Sequence, residues 1–214
     1  MATEQEIIDD FHKLYYSKEA LVLTSPKWCG NIIAKHPNDI QTYQEVIFDT
    51  QPDIIIETGT YHGGSALFYA HMLDLIGKTE GKVITVDITQ YADFPKHDKI
   101  TYLKGRSTDI SIINSIKRMI KPTDRVMVIL DSNHSRDNVL KELKLYSSMV
   151  TKDCYLVVED SNLDEHPVKA YHGDGGPHIA IEMFIYKNND YIIDKSREKY
   201  LFSFFPDGWL KRVV

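Results

Sequence analysis

From residue 53 onward, short apolar runs alternate with stretches of helical periodicity, and four of the runs end in an acid: DIIIE (53–57), KVITVD (82–87), RVMVILD (125–131) and CYLVVE (154–159). A fifth run, ITYLK (100–104), lies between the second and third. Strand-length runs that stay apolar throughout are covered on both faces, and strands alternating with helices build a parallel sheet. Helix-period apolar positions occupy 64–76, 109–120 and 135–149, with Val139, Leu143 and Tyr146 on one stripe of the last. A further helix is predicted over 178–187, after Gly175, Gly176 and Pro177. The tail from 191 to 214 reads as two strand-like pieces without a helix between them. The expected fold is therefore α/β: a mostly parallel seven-stranded sheet, helices on both faces and a C-terminal antiparallel hairpin.

The first fifty residues differ in character. A helix is predicted over 3–16, a loop over TSPKWCGNIIAKHPND (24–39) and a helix over 39–49. At this length the segment is an extension rather than a domain, expected to cover the ligand edge of the sheet or to make a homo-oligomer contact, with the catalytic domain over 51–214. The net charge of -6, with no clustered Lys or Arg, argues against a nucleic-acid partner. The apolar runs are too short to span a membrane, and the acidic, amphipathic N-terminus lacks the pattern of a signal peptide, so a cytoplasmic location is expected. Cys29 and Cys154 are expected to be core thiols, not a disulfide or a zinc site.

In an open parallel sheet, ligands bind beyond the carboxyl ends of the strands. The first run ends at Glu57 and enters Gly59, Gly63 and Gly64, followed by a helix start around Ser65. A dinucleotide fingerprint has the spacing G-x-G-x-x-G; here it is G-x-x-x-G-G after an acid, which would repel a pyrophosphate but suits the ammonium of a methionine moiety. Asp87 ends the second strand, where an acid accepts ribose hydroxyls. S-adenosylmethionine is thus favoured over a nicotinamide dinucleotide. Ser107 and Asp109 either contact the adenine or cap the next helix, and capping suits Asp109 better. Asp131, Glu159 and Asp160 end neighbouring strands, and their mutual repulsion is relieved by a divalent cation, Mg²⁺ or another such as Mn²⁺, since the ligands are all oxygens. His134 follows Asp131 by three residues. The loop 163–178 is expected to overhang the acceptor, which makes Tyr171, His172 and His178 candidate substrate contacts. Tyr171 and Trp28 would supply either an apolar wall or packing.

The blocks IIETGTYHGGSALFYA, VMVILDSNHSRDNVLKELKLYSSMV, CYLVVEDSN and GDGGPHIAIEMF resemble, in order, those of the cephalosporin hydroxylase family. The likeness extends from KWCGNIIAKHPNDIQTYQEVI to FFPDGWLKRV, about four fifths of the chain. Despite its name, that family is similar to class I S-adenosylmethionine-dependent O-methyltransferases with a Rossmann-like fold, including metal-dependent enzymes acting on macrolide sugars. The resemblance implies Mg²⁺ on Asp131, Glu159 and Asp160, with the cofactor on Glu57, Gly59, Tyr61, Gly63, Ser65 and Asp87. It also implies that His134 is the general base that deprotonates a hydroxyl of a sugar or other vicinal-diol natural product or glycan. The rivals are a hydroxylase built on the HGD of 172–174, a nicotinamide oxidoreductase using Asp87, and a non-catalytic cofactor-binding protein that has kept the fold.

Overall fold

The computed structural model describes residues 2–169 and 172–214, so Tyr171 lies outside the described residues. The sheet has the order β5-β4-β3-β6-β7-β9-β8. Its strands are β3 (Ile54–Thr58), β4 (Lys82–Asp87), β5 (Ile100–Lys104), β6 (Val126–Leu130), β7 (Tyr155–Val158), β8 (Tyr191–Ile193) and β9 (Trp209–Arg212). The first five run parallel, whereas β9 pairs antiparallel with both β7 and β8. The expected architecture holds.

Strand alternation sorts the core into two layers. Ile55, Met127, Ile129, Tyr155 and Val157 pack with Tyr43, Val46, Phe68 and Tyr69 of α3 (Pro37–Thr50) and α4 (Gly64–Leu75). Ile54, Ile56, Ile84, Val128 and Leu156 pack with Ile113, Val139, Leu143 and Ile181 of α5 (Ile110–Met119), α6 (Arg136–Tyr146) and α7 (Gly176–Tyr186). The helix expected over 135–149 leaves α geometry at Tyr146 and finishes as a 3-10 turn, Ser147–Met149.

The N-terminal residues join the same body: Val22, Ile33 and Val46 belong to the first core layer. Helix α1 (Glu4–Tyr16) starts at a capping box between Thr3 and Glu6, and α2 (Glu19–Leu23) follows it. The expected loop contains a small hairpin, β1 (Lys27–Trp28) with β2 (Asn31–Ile32). Cys29 sits at its turn with φ 47° and is exposed, which corrects its expected core position; Cys154 is buried. Trp28 packs edge-on against Phe68 and donates to His71 Nδ1 at 2.9 Å, a packing role.

Asp39, in the first turn of α3, is 1 % exposed and accepts a hydrogen bond from the Phe204 amide at 3.0 Å. Burial pushes its carboxyl up to about 7. A raised folded pKa favours the neutral form, so its stabilisation is full below the unfolded value and is lost as pH rises through about 7. Asp39→Asn stays neutral and keeps an acceptor oxygen. Between about pH 5 and pH 8 the native chain is expected to lose on the order of 2 kcal/mol more stability than the variant. Parallel denaturation curves for the two proteins would contradict this assignment.

From β3 the chain builds outward through β4 and β5, then returns to place β6 on the other side of β3. The reversal leaves a crevice at the carboxyl ends of β3 and β6, the switch point where such sheets take ligands.

Candidate active site

A cavity of about 650 Å³ opens at that switch point. Gly59, Tyr61 and Ser65 line it from the β3–α4 turn, Asp87 from the end of β4, Ser107 from beyond β5, and Asp131, His134 and Asp160 from beyond β6 and β7. Val22, Leu23 and Ile33 of the N-terminal segment, together with Phe204, add an apolar wall.

At one end, Asp87 accepts hydrogen bonds from the Tyr61 amide at 3.0 Å and the Thr89 amide at 2.8 Å, one on each carboxylate oxygen. These fix the carboxylate while leaving each oxygen a second lone pair for a ligand hydroxyl. Asp109 stands at the N-cap of α5 without a side-chain capping bond.

Glu57, Gly63 and Gly64 are not in the cavity wall. Alternation along β3 sends Glu57 to the side of Ile55, where it is 0 % exposed and Oε2 accepts from Thr85 at 2.6 Å. Its Oε1 is buried without a hydrogen-bond partner among the described residues, and burial pushes the carboxyl up to about 7. The glycines serve approaches between chain segments more than approach to a ligand. A Cβ on Gly59, at φ +88°, would fall 1.8 Å from the Asp131 carbonyl oxygen, and one on Gly64 would fall 2.2 Å from that of Ile32.

At the other end, the ligating atoms of Asp131, His134 and Asp160 all lie within 4.8 Å of one another. His134 Nε2 is 3.2 Å from Asp160 Oδ2 and 3.9 Å from Asp131 Oδ1. Tyr16, from α1, donates to Asp160 Oδ1 at 3.2 Å. Burial holds the Asp131 and Asp160 carboxyls above the usual range, opposed chiefly by Lys35 at Asp131 and by His134 at Asp160. Two carboxylates and an imidazole, part-exposed to one cavity, suit a divalent cation.

Glu159 departs from the expected trio. It is 4 % exposed, both its oxygens lie 2.7 Å from Lys35 Nζ, and Tyr43 donates to Oε1 at 2.6 Å. Lys35 also reaches Asp131 Oδ2 at 2.9 Å. Burial alone would lower the Lys35 ammonium, but Asp131 and Glu159 hold it well above its ordinary value.

Sequence reasoning missed Lys35, Tyr16 and Glu142. Glu142 is 0 % exposed and accepts from Ser132 Oγ at 2.7 Å and Asn138 Nδ2 at 3.2 Å, both cavity-lining residues. It thereby anchors the turn that carries His134. Its position on the apolar stripe of Val139, Leu143 and Tyr146 was the available signal. A buried lysine in a loop gives no such signal.

His172 and His178 do not line the cavity. The His172 amide donates to Asp164 Oδ1 at 2.9 Å, and Asp174 accepts from the Arg136 amide at 3.0 Å, so the HGD segment ties down local backbone. His178 stacks on His166 with ring centroids 3.5 Å apart and planes 14° apart. His166, His178 and Asp207 form a second compact group. In-plane lone pairs of two parallel rings point side by side rather than at one ion, and Lys195 already neutralises Asp207 at 2.7 Å. Among the described residues, no helix is long and apolar enough to cross a membrane.

The family model described as Rhamnosyl O-methyltransferase/CmcI matches residues 20–213. The rhamnosyl O-methyltransferase of Mycobacterium tuberculosis is 37 % identical over 212 residues, covering 96 % of this chain and 85 % of that protein. Its Mycobacterium leprae counterpart is 37 % identical over 211 residues, covering 96 % and 90 %. Among solved structures, apo CmcI aligns with a TM-score of 0.68 at 21 % identity, covering 88 % of this chain and 76 % of its own. CmcI with Mg and SAM gives 0.65 at 20 % identity, covering 88 % and 77 %. An O-methyltransferase from Bacillus cereus in complex with SAH gives 0.59 at 13 % identity, covering 86 % and 81 %. At these identities the structural matches show a shared fold.

Proposed function

The chain belongs to the rhamnosyl O-methyltransferase/CmcI family, and from that premise we propose that it transfers the methyl group of S-adenosylmethionine to a hydroxyl oxygen of a sugar, with rhamnose as the first acceptor to test. The observation that carries this reading is that one cavity holds both the backbone-anchored Asp87 and the group of Asp131, His134 and Asp160. Asp87 and Asp131 follow strands separated only by β3, so roughly 10 Å of sheet lies between them. One end of the cavity suits a ribose, the other a reacting hydroxyl.

Methyl transfer from a sulfonium is a direct displacement, so the acceptor oxygen must be aimed and must lose its proton. His134 is the group that takes the proton, and the charge it gains falls beside Asp160 and Asp131. Tyr16 and Glu142 hold the surroundings of that ring, the first through Asp160 and the second through Ser132 and Asn138. Val22, Leu23 and Phe204 give the cavity an apolar wall. Asp131 and Asp160 are the carboxylates that would hold magnesium, with His134 alongside; bound there, the ion supplies Lewis acidity at the acceptor oxygen.

The test is incubation of the protein with methyl-labelled S-adenosylmethionine and a set of rhamnosides and catechols, with magnesium or with chelator. Label is expected in a rhamnoside, and chelation is expected to abolish it. Label confined to catechols would overturn the sugar assignment, and transfer that persists undiminished in chelator would overturn the metal's role.

A further inference from the structure

A lysine in a loop normally keeps its ammonium in water, because desolvating an unpaired charge is costly. Lys35 does the opposite. It stands between β2 and α3, directly after Ala34 in the left-handed region at φ 51°, and is 2 % exposed. All three carboxylate oxygens within reach of its Nζ, two from Glu159 and one from Asp131, lie at 2.7–2.9 Å. An ammonium has three donors, so these contacts use its full capacity.

We propose that Lys35 is the resident counter-cation of this site, occupying the position between Asp131 and Glu159 that a divalent ion bridging both would need and so keeping Glu159 out of the metal's ligand set. The inference rests on the reading that the cavity takes a divalent metal, and it specifies which residues of this chain bind one. An incoming ion meets Asp131 Oδ1 and Asp160, with the His134 ring left beside them for the proton, whereas Glu159 presents no oxygen free of Lys35. Tyr43 seals the same carboxylate from behind.

The charge balance gives the arrangement a purpose. With all three acids ionised, Asp131, Glu159 and Asp160 set against Lys35 leave two net negative charges, matched by the charge of one divalent ion. Lysine and metal together then neutralise the three acids, and negative charge developing on the acceptor oxygen meets no net repulsion. Without the lysine, two buried carboxylates face each other uncompensated and Glu159 is released to ligate. Removing one member of a buried ion pair leaves such a charge in need of a partner, and the available partner is the metal.

The experiment is calorimetric titration of the full chain with Mn²⁺ alone, in the native protein, Lys35→Met, Glu159→Gln and the double variant. Lys35→Met is expected to bind Mn²⁺ at least about tenfold more tightly than the native protein. Glu159→Gln alone is expected to shift affinity by less than about threefold, since Glu159 is not a ligand while Lys35 is present. The double variant is expected to lose the gain. Mn²⁺ should also raise the melting temperature of Lys35→Met more than that of the native protein. Binding in Lys35→Met that is no tighter than native, or a loss of about tenfold or more in Glu159→Gln alone, would overturn the proposal. If Lys35→Met does not fold, the Glu159→Gln arm decides by itself. Neither cofactor nor acceptor is present, so a failure of the methyl-transfer reading would show elsewhere and leave this result interpretable.

Discussion

Replacing His134 with alanine lowers kcat about 10²–10⁴-fold, the usual contribution of a positioned general base, while S-adenosylmethionine binds as before. The expectation rests on position. His134 Nε2 lies 3.2 Å from Asp160 and 3.9 Å from Asp131 at the acid end of the cavity, whereas Asp87 is anchored by separate backbone amides two strands away. The residue can therefore be removed without disturbing the ribose end. A residue that merely supported its turn would behave differently: melting temperature would fall and kcat would change by less than about tenfold. The turn already has its own supports in Glu142 and Asn138, which hold Ser132 and the Asn133 carbonyl. Little loss of stability is expected.

Gly59→Ala is expected to be the most damaging single methyl that can be added near the site. Two costs combine: φ +88° is strained for any residue with a Cβ, and that Cβ would fall 1.8 Å from the Asp131 carbonyl oxygen. Strain and overlap together cost roughly 3–5 kcal/mol, a fall in melting temperature of about 10 °C for a chain of this size. The overlap is with backbone, so relief requires moving the turn after β3 or the segment that carries Asp131, and cofactor and metal affinity should fall together. Gly77 is the control. It has φ +75° with nothing within 4 Å of its would-be Cβ, so Gly77→Ala meets only the conformational cost, roughly 1 kcal/mol. Equal losses in the two variants would contradict the close approach of β3 and β6 on which the site is built.

The parallel strands were legible because their signal is local: a strand covered on both faces is dominated by apolar residues, as in β6, which is apolar throughout, and in the IIIE and VITV stretches of β3 and β4. The strand-end acids were legible for the same reason, since each closes such a run. What a strand end does not reveal is which way its side chain turns. Glu57 and Asp87 read alike in sequence, but alternation buries Glu57 beside Ile55 and leaves Asp87 at the cavity. Lys35 was illegible for a deeper reason. Its burial depends on partners 96 and 124 residues away, and no local pattern marks it. The two-residue strands of the β1–β2 hairpin are too short to show a period, which is why Cys29 was expected inside and lies at an exposed turn. His172 and His178 were suggestive by residue type and by their place in a loop expected to overhang the acceptor, and the structure ties them to Asp164 and to His166, away from the cavity wall.

The central claim, that this cavity holds a sulfonium nucleoside for methyl transfer, is tested most directly by calorimetric titration of the purified chain with S-adenosylmethionine and, separately, with NAD, each with and without magnesium. Saturable one-to-one binding of S-adenosylmethionine, with none of NAD, is the predicted result. Binding of NAD in place of S-adenosylmethionine would contradict the account and reassign Asp87 to an oxidoreductase.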